Sequence, residues 1–427
     1  MRDGPITTAE FAARLTAFGA PARFIVAVSG GPDSMALARL AAAYATTARA
    51  QILAVTVDHG LRPEARGEAE TAGRWCAEAG LAHRIVAWDG EKPATGVQAA
   101  ARAARYKILA SLAESEAYGA ILVGHNADDQ AETVFMRLAR GAGPAGLSGM
   151  AAETLIAAGP GSPVRLLRPL LDVPRARILA TVRAMEQPVI DDPSNEDPSF
   201  ERVRTRALLG ALEEQKLLTR EALLRTAARM RAAATRIDAA DAEAFAAAGG
   251  KFHRWAWAAL DRWEDAQPSL IARLIRAVSG QDYAPGEEEA AVALQTVTDG
   301  GAATLGGAML KRHGRGLAII REPAALLGRA GVTPMEPVTL TPGERILWDR
   351  RFIISSERRG PPMDANVEVA PLGGRAADCL ELGAPGGAPI EALQASPGFD
   401  STPGSGGVLR LESLLEERFA GRVVRFS

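Results

Sequence analysis

The chain has 427 residues, 47% of them hydrophobic, and its 49 basic and 51 acidic residues give a formal net charge of −2. This length and apolar content suffice for two or three domains with cores of their own, while the charge balance gives no bulk signal for a nucleic-acid partner. Two cysteines exclude a disulfide framework, and no apolar run approaches the length of a signal peptide core or a membrane span, so we expect a cytoplasmic protein without a membrane partner.

The first predicted strand, Phe24–Val28, runs directly into Ser29-Gly30-Gly31-Pro32-Asp33-Ser34. An apolar run followed by Ser-Gly-Gly indicates a buried strand that breaks into a tight turn, and proline suits the first turn of the helix that follows. Glycines and the free amides of a helix start form an anion-binding site. The common phosphate loop ends in Gly-Lys-Ser/Thr, but here Asp33 takes the lysine's place. A carboxylate beside a phosphate makes sense when Mg²⁺ lies between them.

Short apolar runs alternate with alanine-rich helical stretches from residue 23 to about 190, which predicts a parallel sheet covered by helices. The predicted strands are Phe24–Val28, Ile52–Val57, His83–Ala87, Ala120–Val123 and Val164–Leu167. Ligands of such sheets bind at the carboxyl ends of the strands, where the strand order reverses.

Two polar segments come next along the chain. Asp58-His59-Gly60-Leu61-Arg62 follows the second strand, where it either faces a nucleotide or forms a plain polar turn. Arg102, Arg105 and Tyr106 lie within about one turn of a predicted helix. Two guanidiniums three residues apart share a helix face and suit phosphates, although a solvated basic face would look the same.

The segment after the fourth strand, 124–133, opens another helix with His125, Asn126, Asp128, Asp129 and Glu132. Acids in a first turn can simply complement the helix dipole. That explanation covers one or two carboxylates but not a His-Asn followed by three acids at the end of a strand. A site for a metal or an amine is the better interpretation.

These segments, in this order and spacing, resemble the tRNA(Ile)-lysidine synthetases, which are PP-loop enzymes of the N-type ATP pyrophosphatase class. The likeness continues through Arg137-Leu138-x-Arg140-Gly141, Gly146–Met150, Arg168–Leu171 and Asp192–Asp197. Two positions depart from the family pattern, since Val203 stands in place of the usual Asn and Gln98 in place of a frequent Glu. The resemblance implies a five-stranded parallel α/β sheet of the adenine-nucleotide α-hydrolase (HUP-like) type. A mostly helical domain and a small α+β C-terminal domain would follow.

The resemblance also implies the reaction. ATP would adenylate the C2 oxygen of the wobble cytidine in a CAU-anticodon isoleucine tRNA, and free L-lysine would then displace AMP to give lysidine, with Mg²⁺ as cofactor. We assign the site residues as hypotheses: nucleotide binding to Ser29, Gly30, Gly31, Pro32, Asp33, Ser34, Asp58, His59 and His125; Mg²⁺ to Asp33 and Asp129; catalysis to Asp33, Arg105, Asp129 and Glu132; and substrate binding to Arg102, Asn195, Arg202 and Arg206. Asn195 could alternatively be a plain turn residue.

Lysine transfer needs a neutral amine, and removing the proton at pH 7.4 costs about 4 kcal/mol from a reference pKa of about 10.4. An acidic pocket attracts the ammonium but raises its pKa, so binding and activation oppose each other. A carboxylate that binds the ammonium and then accepts its proton resolves this conflict. Glu132 is the candidate, or Asp129 if it does not hold the metal.

Three domains are expected, at 1–210, 211–328 and 338–427. Residues 201–236 hold nine Arg or Lys against four Glu on helical sequence, and the periodicity predicts that the arginines face solvent. Beside the anticodon-modifying site that the resemblance implies, we expect these arginines to contact tRNA phosphates. Ala308–Arg312 and Leu317–Arg321 predict a hairpin, and Arg345–Trp348 and Arg351–Ile354 predict short strands.

Oligomeric state stays open, with a homodimer possible. Two other functions also stay open: a PP-loop tRNA thiolase or amidotransferase, and a non-catalytic tRNA-binding relative.

Overall fold

The computed structural model of the chain describes residues 4–89, 92–93, 96–157, 163–191, 197–253, 256–281, 283–328, 334–340, 345–349, 351–357, 367–371, 397–400, 408–416 and 424–426. The chain divides into two compact units. The first comprises Met1–Ala158, Pro163–Arg236 and Arg425–Ser427, and the second comprises Gly159–Ser162 and Ile237–Val424. The three-domain division at 210 and 328–338 stays a prediction. No helix in the described ranges is long and apolar enough to cross a membrane.

The first unit alternates helices and strands. Its elements are α1 (Thr8–Ala17), β1 (Arg23–Ala27), α2 (Pro32–Ala48), β2 (Gln51–Asp58), α3 (Ala65–Glu78), β3 (Ala82–Ala87), α4 (Val97–Ser115), β4 (Ala120–Leu122), α5 (Ala127–Ala139), α6 (Pro144–Leu147), β5 (Glu153–Ala157), β6 (Val164–Leu167), α7 (Arg175–Ala184), α8 (Glu201–Glu214) and α9 (Arg220–Ala247), the last of which ends in the second unit.

The central sheet has the strand order β18-β5-β6-β4-β1-β2-β3, with β18 (Val424–Phe426) at one edge. The pairs β1–β2, β1–β4, β2–β3 and β4–β6 are parallel, so the five predicted parallel strands are confirmed. Strand β5 was missed; it pairs antiparallel with β6 and is tied to it by an ion pair between Glu153 and Arg165. Because β2 and β4 flank β1, the order reverses at β1, and the carboxyl ends of β1 and β4 form the switch point.

Both faces of the sheet are covered. Phe24 and Val26 of β1 pack with Met35 and Leu37 of α2 on one face, whereas Ile25 points to the other face and packs with α4. This alternation follows from the two-residue period of a strand. Since both sides are buried, the strand is apolar throughout, as expected for a parallel sheet between helices.

Helices α8 and α9 pack on α5 through a small apolar cluster. Ala131 and Val134 of α5 contact Leu209 of α8, and Leu223 and Ala227 of α9 complete the cluster. The start of α8 is thereby held beside the second turn of α5, which brings basic side chains from one helix next to acidic side chains of the other.

The second unit contains α10 (Pro268–Ser279), α11 (Glu287–Thr298), α12 (Ala324–Leu327) and the strands β7 (Lys251–His253), β8 (Trp257–Leu260), β9 (Ala303–Leu305), β10 (Ala308–His313), β11 (Gly316–Arg321), β12 (Val338–Leu340), β13 (Arg345–Trp348), β14 (Phe352–Glu357), β15 (Val367–Pro371), β16 (Pro397–Asp400) and β17 (Val408–Ser413). The predicted hairpin is β10–β11, and it belongs to a sheet of order β7-β8-β11-β10-β9 whose other strands the sequence did not predict. The predicted pair of short strands is β13–β14. The described residues of this unit also form two three-stranded sheets, β12-β15-β16 and β13-β14-β17.

Candidate active site

The carboxyl ends of β1, β2 and β4 open into a cleft of about 1010 Å³. Its lining includes the loop 29–34, His59, Arg105, Asp129, Arg175 and Arg206. The cleft therefore lies where the reversal of strand order predicts a ligand site.

The loop between β1 and α2 is closed by Ser34. The Ser34 hydroxyl accepts a hydrogen bond from the Ser29 amide at 3.1 Å and donates one to the Gly31 carbonyl at 3.0 Å. Gly30 adopts φ +84°, and a Cβ there would lie 2.3 Å from the Cδ1 atom of Ile190. The Ser29 amide is thus used inside the loop. The amides of the first turn of an α-helix have no intrahelical partner, so those at the start of α2 are suited to bind an anion.

Asp33 and Asp129 stand at the starts of two neighbouring helices, α2 and α5. The buried Asn126 joins them: its side-chain NH₂ donates to Asp33 Oδ1 at 2.9 Å, and its backbone N–H donates to Asp129 Oδ2 at 3.0 Å. Burial raises the pKa of Asp33, and Asp129 acts in the same direction. The guanidinium of Arg175 and the hydrogen bond from Asn126 oppose this shift.

Glu132 lies beneath the cleft rather than in its lining, and it is fully buried. Its Oε1 atom is 2.7 Å from Nε of Arg206, and its Oε2 atom is 3.1 Å from Nε of Arg202. Burial raises the pKa of Glu132, and both guanidiniums oppose that shift. The predicted general base therefore has an arginine at each oxygen, and the role assigned to it stays a prediction.

The sequence predicted that the arginines of 201–236 face solvent. The structure shows that some of them pair with acids of other elements instead. Arg202 and Arg206 pair with Glu132, and Arg220 pairs with Asp128 at 3.2 Å and with Glu213. Periodicity within one helix identifies its apolar side, but it cannot show which acid of another helix an arginine will meet.

Asp128 has a local structural task as well. Its Oδ1 atom accepts the Arg175 amide at 3.0 Å, so it holds the start of α7 while its other oxygen pairs with Arg220. Asp58 behaves similarly, since its carboxylate accepts the Gly60 amide at 2.9 Å within the turn that follows β2.

Arg102 and Arg105 lie over the ring of the buried Tyr106, with their Cζ atoms 5.0 and 5.5 Å from its centroid. Arg105 lines the cleft, and Arg102 is exposed. Stacking on one aromatic ring restrains both guanidiniums.

Besides Arg202 Nε, which is ion-paired with Glu132, three buried polar atoms of residues that line the cleft have no hydrogen-bond partner in the described part of the chain: Tyr106 Oη, His125 Nδ1 and His59 Nδ1. Burial, followed by the charge of Arg102, lowers the pKa of His125 well below its ordinary value. Burial and Arg105 lower the pKa of His59. A lowered pKa favours the neutral imidazole, so these atoms suit the uncharged polar parts of a ligand.

The sequence of this chain is similar to a known domain family and to several known proteins. Residues 7–212 match the PP-loop domain family. A tRNA(Ile)-lysidine synthase from Methylobacterium nodulans is 39% identical over 347 residues, which are 76% of this chain and 98% of that protein. A tRNA(Ile)-lysidine synthase from Rhizobium meliloti is 35% identical over 415 residues, which are 92% of this chain and 85% of that protein. The chain belongs to the tRNA(Ile)-lysidine synthase family. Among solved structures, the U34-tRNA thiolase NcsA from Methanococcus maripaludis has a TM-score of 0.43 and 20% identity, covering 52% of this chain and 77% of that one.

The structure brings most of the predicted site residues to the PP-loop cleft, which is lined by Ser29, Gly31, Pro32, Asp33, Ser34, Asp58, His59, Arg105, His125, Asp129, Arg202 and Arg206. Gly30 lies within the loop, whereas Arg102 and Glu132 do not line the cleft. Asn195 lies outside the described residues.

Sequence reasoning missed two residues of this site, Asn126 and Arg175. Asn126 was part of a quoted motif but received no role. Arg175 lines the cleft at the first position of α7, where a cation opposes the helix dipole. An arginine at this unfavourable position was the feature of the sequence that could have identified Arg175 as a site residue.

We expect Glu132→Gln to destabilise the fold by about 2–3 kcal/mol, because it leaves two partly buried guanidiniums without their counter-ion. The matched control is Glu201→Gln, which breaks the exposed pair between Arg140 and Glu201 and should cost less than about 1 kcal/mol. Urea denaturation of both variants measures the difference. Equal losses in the two variants would contradict the importance of this buried cluster.

Proposed function

We propose that this chain joins the ε-amine of L-lysine to C2 of the wobble cytidine of a CAU-anticodon isoleucine tRNA, at the expense of ATP. One observation carries the proposal: a PP-loop with Asp33 in place of a lysine shares a cleft with Asp129. It does so in a chain matched over 92% of its length by a tRNA(Ile)-lysidine synthase. ATP use follows from the PP-loop domain. Lysine as the amine, Mg²⁺ and a cytoplasmic location are parts of the proposal.

In the first step the C2 oxygen of the cytidine attacks the α-phosphorus of ATP, and pyrophosphate leaves. The amides at the start of α2 bind the phosphates, and Arg105 and Arg175 offset the charge that develops on them. The neutral Tyr106, His59 and His125 contact uncharged polar atoms of the nucleotide. This division follows the charge of the groups that line the cleft, since guanidiniums suit phosphates and uncharged groups suit neutral polar atoms.

The donor set fits magnesium. Among the residues that the structure describes, no three His, Cys, Asp or Glu side chains are grouped to hold a metal ion. Mg²⁺ does not need such a group, because it commonly takes one or two carboxylates with phosphates and water. Asp33 would hold it, through the oxygen that Asn126 does not engage. When bound, the ion neutralises charge on the phosphates.

In the second step the amine attacks C2 and AMP leaves with the C2 oxygen. A carboxylate has to take the ammonium proton, at a cost of about 4 kcal/mol from the reference pKa of lysine. Glu132 is buried between two guanidiniums, whereas Asp129 lines the cleft and has one oxygen that Asn126 does not engage. We therefore assign the proton to Asp129, and we assign to Glu132 the task of holding Arg202 and Arg206.

If Asp129 accepts the proton, Asp129→Asn should slow lysine transfer from preformed adenylated tRNA by about 10²–10⁴-fold. Glu132→Gln should slow the same step by no more than about tenfold, because it acts only through the arginines. Single-turnover measurements on adenylated tRNA made by the wild-type protein separate this step from adenylation. The opposite ranking of the two variants would return the role of base to Glu132.

A stripe of exposed arginines on α9 is suited to tRNA phosphates. Arg225, Arg229 and Arg236 are spaced by four and seven residues and therefore lie on one side of the helix. The opposite side carries Leu223 and Ala227, which are buried in the cluster with α5 and α8. The nearest acid, Glu221, is 3.7 Å from Arg225 in an exposed pair that stabilises little. The stripe is therefore available for a polyanion.

Replacing Arg225 and Arg229 with Gln should weaken tRNA binding and reduce the slope of log affinity against log salt by about 2, since two phosphate contacts are lost. The control replaces Arg66 and Arg74, two exposed arginines of α3, and removes the same charge. Binding titrations at several salt concentrations provide the measurement. Equal effects of both double variants would show that net charge, and not the stripe, governs binding.

The decisive test of function incubates the protein with CAU-anticodon isoleucine tRNA, Mg-ATP and labelled lysine. Lysine incorporation with release of AMP and pyrophosphate is expected. A requirement for sulfur or ammonia would instead support a thiolase or amidotransferase, and binding without turnover would support a non-catalytic relative.

The buried Cys76, whose pKa is raised to about 11 by burial, is poorly suited to thiolate chemistry.

A further inference from the structure

Asn126 connects the two helix starts that carry the acids of the cleft, although its own side chain is only 1% exposed. The amide oxygen accepts the backbone N–H groups of Asp128 and Asp129 at 2.9 and 3.1 Å, which caps α5. The amide nitrogen donates to the Asp33 carboxylate of α2 at 2.9 Å. One side chain therefore uses its acceptor on one helix and its donor on the other.

Capping alone does not require asparagine here. Ser and Asp are equally good at the N-cap position, because only an acceptor oxygen is needed. An NH₂ donor attached to that acceptor is available only from Asn or Gln, and Gln is a poor N-cap. The residue type is thus explained by the bond to Asp33 and not by the helix end.

The two backbone segments joined by this bond approach each other closely. A Cβ on Gly124 would lie 2.9 Å from the Asp33 carbonyl oxygen and 3.2 Å from the Ser34 nitrogen. The turn before α5 therefore rests directly on the first turn of α2. Asn126 reaches Asp33 because no side chain separates the two segments.

We propose that Asn126 is a positioning residue that fixes the carboxylate of Asp33 for the magnesium–nucleotide complex. By holding Oδ1, it leaves Oδ2 for the cleft and sets the orientation of the carboxylate relative to Asp129. This inference rests on the proposed function, in which Asp33 meets the metal. Second partners that orient a ligating side chain commonly change metal affinity by about 10–100-fold when they are removed.

The test uses Asn126→Ser, which retains the cap and loses the donor. Calorimetry measures binding of a non-hydrolysable ATP analogue to the full chain, with Mg²⁺ and with EDTA. We expect the dissociation constant with Mg²⁺ to rise by about 10–100-fold and the constant in EDTA to be unchanged. The melting temperature should fall by several degrees, because the cap is preserved but the hydrogen bond to the buried Asp33 carboxylate is lost.

Thr7→Ala serves as the matched control. Thr7 caps α1 by accepting the Glu10 amide at 3.1 Å, and it does not line the cleft. Its loss should lower the melting temperature by about 2–4 °C and leave nucleotide binding unchanged with or without Mg²⁺.

The outcomes are distinct. If Asn126→Ser binds the analogue as the wild type does, Asn126 is only a cap and the proposal is wrong. Equal weakening with Mg²⁺ and with EDTA also overturns it, because the loop itself would then be distorted. Failure of the wild-type protein to bind the analogue would instead reject the proposed function.

Discussion

The contact between the starts of α2 and α5 is the constraint on which the site depends. The order β4-β1-β2 puts these helix starts side by side, and Gly124 lets their backbones touch. Burial raises the pKa of Asp33, so the ionised carboxylate needs a stabilising partner in the folded protein. A helix dipole supplies about 0.3–1 kcal/mol, whereas a hydrogen bond to a charged group supplies about 1.5–3 kcal/mol. The bond from Asn126 therefore stabilises the carboxylate more than the helix dipole does, and it adds to the effect of the Arg175 guanidinium, which opposes the rise in pKa more strongly.

The arginines around the cleft belong to two groups with different surroundings. Arg202 and Arg206 are partly buried and share the counter-ion Glu132, which limits their motion. Arg105 lines the cleft and is restrained by the ring of Tyr106 instead of by an acid. A guanidinium held by an aromatic ring keeps its charge free for an anionic ligand, while one held by a carboxylate is largely neutralised. Arg105 is consequently the better suited of these residues to a phosphate.

The parallel sheet could be predicted because each of its strands is a short apolar run that ends in polar or glycine residues. Strand β5 could not, because it carries Glu153 and Thr154 among its apolar residues, and its partner Arg165 comes later in the chain. The clustering of Asp33, His125 and Asp129 followed from strand ends meeting at one edge. The burial of Glu132 did not follow, because it depends on α8, about 70 residues away in sequence. Asn126 and Arg175 act on a residue of another helix, so their roles can be recognised only when the fold is known.

Two successive reactions in one cleft need carboxylates that do not exchange roles. Asp33 and Asp129 each have one oxygen engaged by Asn126, the first through the side chain and the second through the backbone. Each retains one oxygen for the cleft, in an orientation set by a different helix start. Glu132 is withdrawn from the cleft by Arg202 and Arg206, so it does not compete for a cation or an ammonium group. In the proposed function, the three acids of the predicted site thereby take separate roles, as a metal ligand, a base for the amine and an internal counter-ion. Sequence spacing alone makes these three acids look alike, and their hydrogen bonds distinguish them.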